Sequence, residues 1–251
     1  MIPSKEEKDK QKFQTANAII CGGVAVETAN TTTQFNEECR NLRITLREQS
    51  TANQAALNDK LRSDSNYVGD RSKGVALAYE YEVADVKMGG AGSADWNPNE
   101  RAELLNSGKV RGVEGHHTNN VADHPELQTD PDNITFYRDR KSHLREGHGG
   151  DFRNSSSGPL VDKDKMLKST NAKRVIKNEA QGLVVAATTG AAIGVADSVI
   201  CTCKTDGLSV KSITKGLKQS AKPVAKSTGI AVVTYAIGRA CSYAFDYILK
   251  N

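Results

Sequence analysis

Several things are scarce in this 251-residue chain, and each scarcity removes a class of protein. The five cysteines, Cys21, Cys39, Cys201, Cys203 and Cys241, form an odd set without a C-x-x-C pair, which excludes zinc-knuckle spacing and argues against a disulfide framework. Free thiols in a reducing cytoplasm fit that usage. The opening MIPSKEEKDKQKFQTANAII has acids and lysines where a signal peptide needs an apolar core, so Sec-type export is not expected. A cytoplasmic location is expected, with delivery by a non-Sec route or membrane association through residues 180–249 as the alternatives. The two apolar runs of the chain are borderline against the roughly 20 residues that span a bilayer, and no internal repeat is evident. Trp96 is the one tryptophan and reads as a core anchor.

The net charge of +4 is mild but unevenly placed: residues 162–226 hold eleven Lys and one Arg against five acids. Such a stretch is either a solvated helix surface or a surface attracted to phosphates, in nucleic acid or on an anionic leaflet. Composition divides the chain at 1–66, 67–158 and 159–251. The first part reads as two helical runs separated by a loop at ETANTTTQ, residues 27–34; it packs on something or self-associates. In the second, GVALAYEYEVADVKMGG reads as a helix stopped by paired glycines. Asn97 caps a short helix with Pro98 at its first position and Gly108 beyond its end. In the third, a helix starts near Asp162.

What is present in concentrated form is histidine. His116, His117, His124, His143 and His148 are all the histidines of the chain, and they fall within 33 consecutive residues. Adjacent strand residues point to opposite faces, so His116 and His117, if they act on one point, are expected in a bend or loop. KVRGVEG (109–115) reads as a strand, TDPDN as a turn and ITFY as a second strand. Asp139 caps a helix over RKSHLREG that Gly147 stops. The result is a ββα unit, core 109–154, in which His116 and His117 emerge at the end of the first strand, His143 comes from the helix and His148 follows it. His124 reads as a surface loop residue, and Glu114 as a salt-bridge partner or an outer-shell ligand.

GHHTNN…PDNITFYRDRKSHLREGHGG resembles the signature of the HNH, or ββα-metal, nucleases, in particular the G-H-H branch of bacterial toxin-type nucleases related to the colicin-type DNases. The resemblance covers residues 96–154 and implies a fold that is mainly α with a small α+β nuclease core between helical N- and C-terminal regions. It also implies roles. His116, His143 and His148 would be ligands of one divalent metal ion (Mg, Mn, Ni or Zn), His117 the general base, and Asn133 the residue that holds the backbone or the base imidazole. One departure stands out: His143 and His148 are five apart where the colicin-type pattern has four, which rotates His148 off the shared helical face unless the helix ends at Gly147.

Each role has a chemical reason. An imidazole titrating near pH 6.5 is neutral and basic at cellular pH. A divalent ion on neutral imidazoles keeps its charge for the phosphate. Arg138, Arg140, Lys141 and Arg145 are the expected grips on neighbouring phosphates, without sequence readout. The substrate expected is DNA, with RNA second, and the setting a bacterial toxin with an immunity protein or a defence effector. The competing reading is a membrane-associated or interaction protein whose ββα unit binds metal or nucleic acid without cleaving.

The third part holds two apolar runs, 180–196 with its small-residue GAAIG, and 228–238. Asp197 and Arg239 interrupt them, and either charge at mid-bilayer costs about 2.5–3.5 kcal/mol. These helices are therefore expected to pack against protein. Only a paired hairpin with Asp197 and Arg239 near the interface escapes that cost.

Overall fold

Helices dominate the computed structural model, which describes residues 5–206 and 210–250. Among the described residues the sheet is one antiparallel pair of strands. The chain forms two compact units, residues 35–174 and residues 1–34 with 175–251. These cut across the divisions drawn from composition, because two long helices, α1 (Lys5–Ser63) and α5 (Lys163–Asp206), each contribute to both units. No loop interrupts α1 at residues 27–34. That stretch has neither Gly nor Pro, and the hydroxyls of Thr28 and Thr31 donate to the carbonyls of Val24 and Glu27 at 2.8 and 3.0 Å, so the threonines are satisfied inside the helix.

In the unit 35–174, α2 (Arg71–Lys87) is the central helix. One face packs Leu77, Tyr81, Ala84 and Met88 against Cys39 and Leu46 of α1 and Leu167 of α5. The other packs Ala78 and Val86 against Trp96, Leu104, Val110, Ile134 and Phe136. A helix apolar on two sides is a buried helix, and this explains why residues 35–66 and 159–174 belong with the core they flank. Arg43 clasps Asp164 through two hydrogen bonds of 2.7 and 2.9 Å across the same contact.

The segment after α2 is held by buried charge. Glu82 is fully buried and accepts from Ser93 N (2.7 Å), Trp96 Nε1 (2.8 Å) and the equally buried Lys163 Nζ (3.0 Å). Such a pair is costly to break, because either partner alone is an uncompensated buried charge. Trp96 is thus a core anchor, as its singularity suggests. Next, α3 (Pro98–Ser107) carries a full capping box between Asn97 and Glu100 and ends at Gly108 in the left-handed conformation.

The ribbon pairs β1 (Glu114–His117) with β2 (Ile134–Tyr137), His116 opposite Thr135 and His117 opposite Ile134. The first strand is shorter and later than 109–115: Val110 turns into the core, and Gly112 takes a positive φ of 80° that an extended strand does not use. Gly115 is required by proximity, since a Cβ there would lie 2.8 Å from Val75 of α2. Then α4 (Arg140–Ser142), capped by Asp139, runs into a π turn at His143–Gly147.

The other unit comprises the start of α1, the later part of α5, α6 (Val210–Gln219) and α7 (Ala221–Lys250). Its core is made of small residues, with Cys21, Ala25, Ala186 and Ala231 fully buried around Tyr235. The C-terminal helices pack on one another through small residues, and Leu183, Val184, Val185, Val233 and Ile237 are left exposed. The interior is filled by glycines and alanines instead, which leave no room for branched side chains.

Candidate metal centre

The strand places its two histidines on opposite sides, and each finds a separate partner. They need no bend to do so, because the place where they act lies at the strand's end. His116 is buried, with Nδ1 3.0 Å from Nε2 of His143. His117 turns the other way, and its Nε2 lies 3.0 Å from the carbonyl of Gln128. A carbonyl only accepts, so Nε2 carries the proton in the neutral ring and Nδ1 keeps the free lone pair.

His148 joins His116 and His143 despite the five-residue spacing. A π turn is closed by i→i+5 hydrogen bonds and takes up one extra residue. Over His143–Gly147 it returns His148 to the face of His143. The ring centroids of His116, His143 and His148 form a triangle with sides of 5.0, 4.7 and 5.0 Å. One ring nitrogen from each lies within 4.8 Å of the others. Gly147 keeps the turn tight, since a Cβ there would lie 3.1 Å from His143 and 3.4 Å from His116.

Outer partners orient two of the three rings. His143 Nδ1 donates to Glu114 Oε2 at 2.6 Å, leaving Nε2 for the cluster. His148 Nδ1 makes a longer bond, 3.4 Å, to the Asn154 carbonyl. Glu114 therefore fixes the orientation of the His143 ring, and Arg140 stands 3.6 Å from its other oxygen. The three histidines fit a metal ion: two nitrogens bound to one ion at 2.0–2.1 Å sit roughly 3.3 Å apart in a tetrahedral site, close to the 3.0 Å between His116 and His143. Burial, and then the neighbouring imidazoles, push His116 down to about 4, so it is a neutral ring with a lone pair at neutral pH. Burial also lowers His117; the Gln128 carbonyl opposes the shift and the charge of Arg71 adds to it.

Asn133 is fully buried and holds backbone, not imidazole. Its Oδ1 accepts from Asn119 N at 2.7 Å and its Nδ2 donates to the Asn119 carbonyl at 3.1 Å, fixing the chain two residues after His117. Gln128, also fully buried, donates to the Tyr67 and Pro125 carbonyls and accepts from Asp70 N, so the carbonyl that meets His117 is firmly placed. His124 is a surface residue beside Glu126.

A cavity of about 610 Å³ is bordered by His116, His117, His143 and His148, with Arg71 and Lys109 as its cations. The four expected phosphate grips do not border this cavity, although Arg140 stands beside Glu114. Arg138 pairs with Glu100 at 2.8 Å and lies over the Trp96 ring, Arg140 covers Phe152, Arg145 pairs with Glu146, and Lys141 is exposed outside the cavity. Arg71 and Lys109 lie 45 and 7 residues before His116. Nothing local marks them; Arg71 is brought in by α2 crossing the ribbon.

This geometry agrees with the comparisons. Residues 69–138 match the family of GHH signature containing HNH/Endo VII superfamily nuclease toxins. The nuclease-toxin resemblance thus holds for that segment, which includes Gly115, His116, His117 and Asn133 and ends before His143 and His148. Among curated proteins, Teneurin-m of Drosophila melanogaster is 34% identical over 85 residues, covering 34% of this chain and 3% of its own length. Teneurin-3 of Mus musculus is 35% identical over 68 residues, covering 27% of this chain and 2% of its own. The chain therefore spans a very small part of these relatives. No solved structure matches it.

Proposed function

We propose that this protein is a metal-dependent endonuclease of the HNH type that hydrolyses DNA with little sequence preference, acting as a bacterial toxin held in check by an immunity protein. The observation that carries the reading is the division among the four clustered histidines. Three converge on one point, and the fourth borders the same cavity with its own anchor and a free lone pair.

A divalent ion held by His116, His143 and His148 would stabilise negative charge on the phosphate as a Lewis acid. The remaining work falls to the chain's own groups. With Nε2–H bound to the Gln128 carbonyl, His117 takes a proton from the attacking water at Nδ1, a contribution of about 10²–10⁴-fold in rate. Asn133 and Gln128 are positioning residues that keep this ring in place. Arg71 and Lys109 hold phosphates by charge alone, which positions the strand without reading it.

The test is incubation of full-length protein with supercoiled plasmid and with an RNA of similar length, in Mg²⁺, Mn²⁺, Ni²⁺ or Zn²⁺, with and without chelator. The plasmid should be nicked and linearised in at least one metal and protected by chelator. Plasmid intact in all four, or cleavage indifferent to chelator, would overturn the proposal. Retention of intact plasmid on the metal-loaded protein would favour a binding module instead.

A further inference from the structure

We infer that α5 and α7 form a helical hairpin that inserts into an anionic phospholipid bilayer. The distribution of side chains in this unit runs opposite to that of a water-soluble bundle. Along the part of α5 that belongs to this unit the buried positions recur every fourth residue, and all are small: Gly182, Ala186, Gly190, Gly194, Ser198 and Thr202. The helices touch backbone to backbone. A Cβ at Gly190 would lie 2.7 Å from Ala231 and from the Ser227 carbonyl, and one at Gly194 would lie 2.5 Å from Val224 Cα. The branched residues point out, with Val184 60%, Val185 47%, Val233 57% and Ile237 59% exposed. Water drives such residues inward. In lipid, which gives no hydrophobic drive between helices, small residues make the helix contacts and aliphatic side chains meet the acyl chains.

Three further observations fit that solvent. The outward hydroxyls of Thr188 and Thr189 donate to carbonyls of their own helix, at 2.9 and 2.8 Å, and carry no open donor into hydrocarbon. The charge-free run 180–196 rises about 26 Å, close to the ~30 Å hydrocarbon layer, and the helix containing it reaches a mean hydropathy of 1.8. Asp197 and the Glu179–Arg239 pair, in which Arg239 Nε donates at 2.9 Å, stand at opposite ends of the charge-free run. This is the arrangement under which neither charge crosses the bilayer centre.

The occupant is identified by charge. Beyond the Asp197 end stand Lys211, Lys215 and Lys218 on α6. Lys222 and Lys226, on the first turns of α7, lie beside the Gly194–Gly190 stretch, where helical side chains lean toward their own N-terminus and so toward that end. All five are exposed. Lys215 pairs with Asp206, which leaves the others to meet phosphate headgroups.

Flotation of full-length protein with vesicles tests the inference. It should float with phosphatidylglycerol–phosphatidylethanolamine vesicles, resist a carbonate wash, and float less with phosphatidylcholine alone. Val184→Lys and Val233→Lys place a charge on side chains more than half exposed, so each should keep the wild-type circular dichroism spectrum in water. Each should nevertheless reduce vesicle partitioning on the order of 10²-fold. Failure to float, release by carbonate, or flotation of both variants at the wild-type level would overturn it. So would a stable dimer that ignores vesicles, because a second copy would then be what covers the apolar face.

Discussion

Gly74→Ala sets a local gain against a precise collision. Gly74 lies within α2 and is buried, and alanine in a helix interior is favoured over glycine by about 1 kcal/mol. Its Cβ would fall 2.5 Å from the carbonyl oxygen of Gln128 and 3.3 Å from the Thr129 carbonyl carbon. That oxygen must retreat by roughly 1 Å to restore van der Waals separation. It cannot swing freely, because the Gln128 side chain is tied to Tyr67, Pro125 and Asp70. Overpacking of this kind costs about 1–3 kcal/mol, so the net effect should be destabilising by up to about 2 kcal/mol. The same oxygen anchors His117, and a displacement near 1 Å can cost about 10²-fold in rate. Single-turnover plasmid cleavage should therefore fall about a hundredfold. Metal affinity by titration calorimetry should stay unchanged, because Glu114 and Asn154 hold the ligands independently. A variant that is more thermostable than wild type, or that cleaves within twofold of it, would refute the reasoning.

His117→Ala should lower cleavage by about 10²–10⁴-fold and leave metal affinity intact, whereas His116→Ala should weaken both; equal loss of metal in the two would show the roles to be misassigned. Glu114→Ala frees the His143 ring and should reduce metal affinity about 10–100-fold, measured by competition with a chromogenic chelator. Asp70 supplies a pH test. Burial raises its pKa, but hydrogen bonds from Lys60, Lys73 and Tyr67 outweigh this, and the net shift is downward. An acid with a depressed folded-state pKa contributes stability that is present above its unfolded value, about 3.9, and is lost as pH falls through the folded one. Asp70→Asn should thus lower the urea midpoint at pH 7, and the gap to wild type should narrow as pH falls below about 3.9; a constant gap between the two would contradict it.

Local chemistry was legible and tertiary arrangement was not. Asn97–Pro98, the Asp-Pro-Asp-Asn turn and ITFY carry their conformations in adjacent residues, and the structure places them where the sequence suggests. The threonine cluster at 27–34 suggests a loop, but Thr28 and Thr31 bond to carbonyls of their own helix and Thr32 donates to Glu179 of α5. The basic residues near the histidines looked like phosphate grips. In the structure Arg138 and Arg145 have acidic partners, and the cations that border the cavity come from α2 and from the turn before β1, which proximity in sequence does not reveal. Outward apolar faces in the C-terminal helices were likewise invisible to periodicity, which records that a stripe exists but not which stripe is buried.

The π turn at His143–Gly147 changes what counts as the same motif. A search that fixes the gap between the last two histidines tests a ruler, whereas the ion tests an angle. An α-helical four and a π-helical five present nearly the same angle, so a pattern written with one spacing passes over chains that have absorbed an inserted residue without moving the ligand. Removing one residue from Leu144–Glu146 would return the turn to α-helical register with His148 still facing His143. Pairs of histidines five apart, joined by such a turn, therefore belong in any census of such sites.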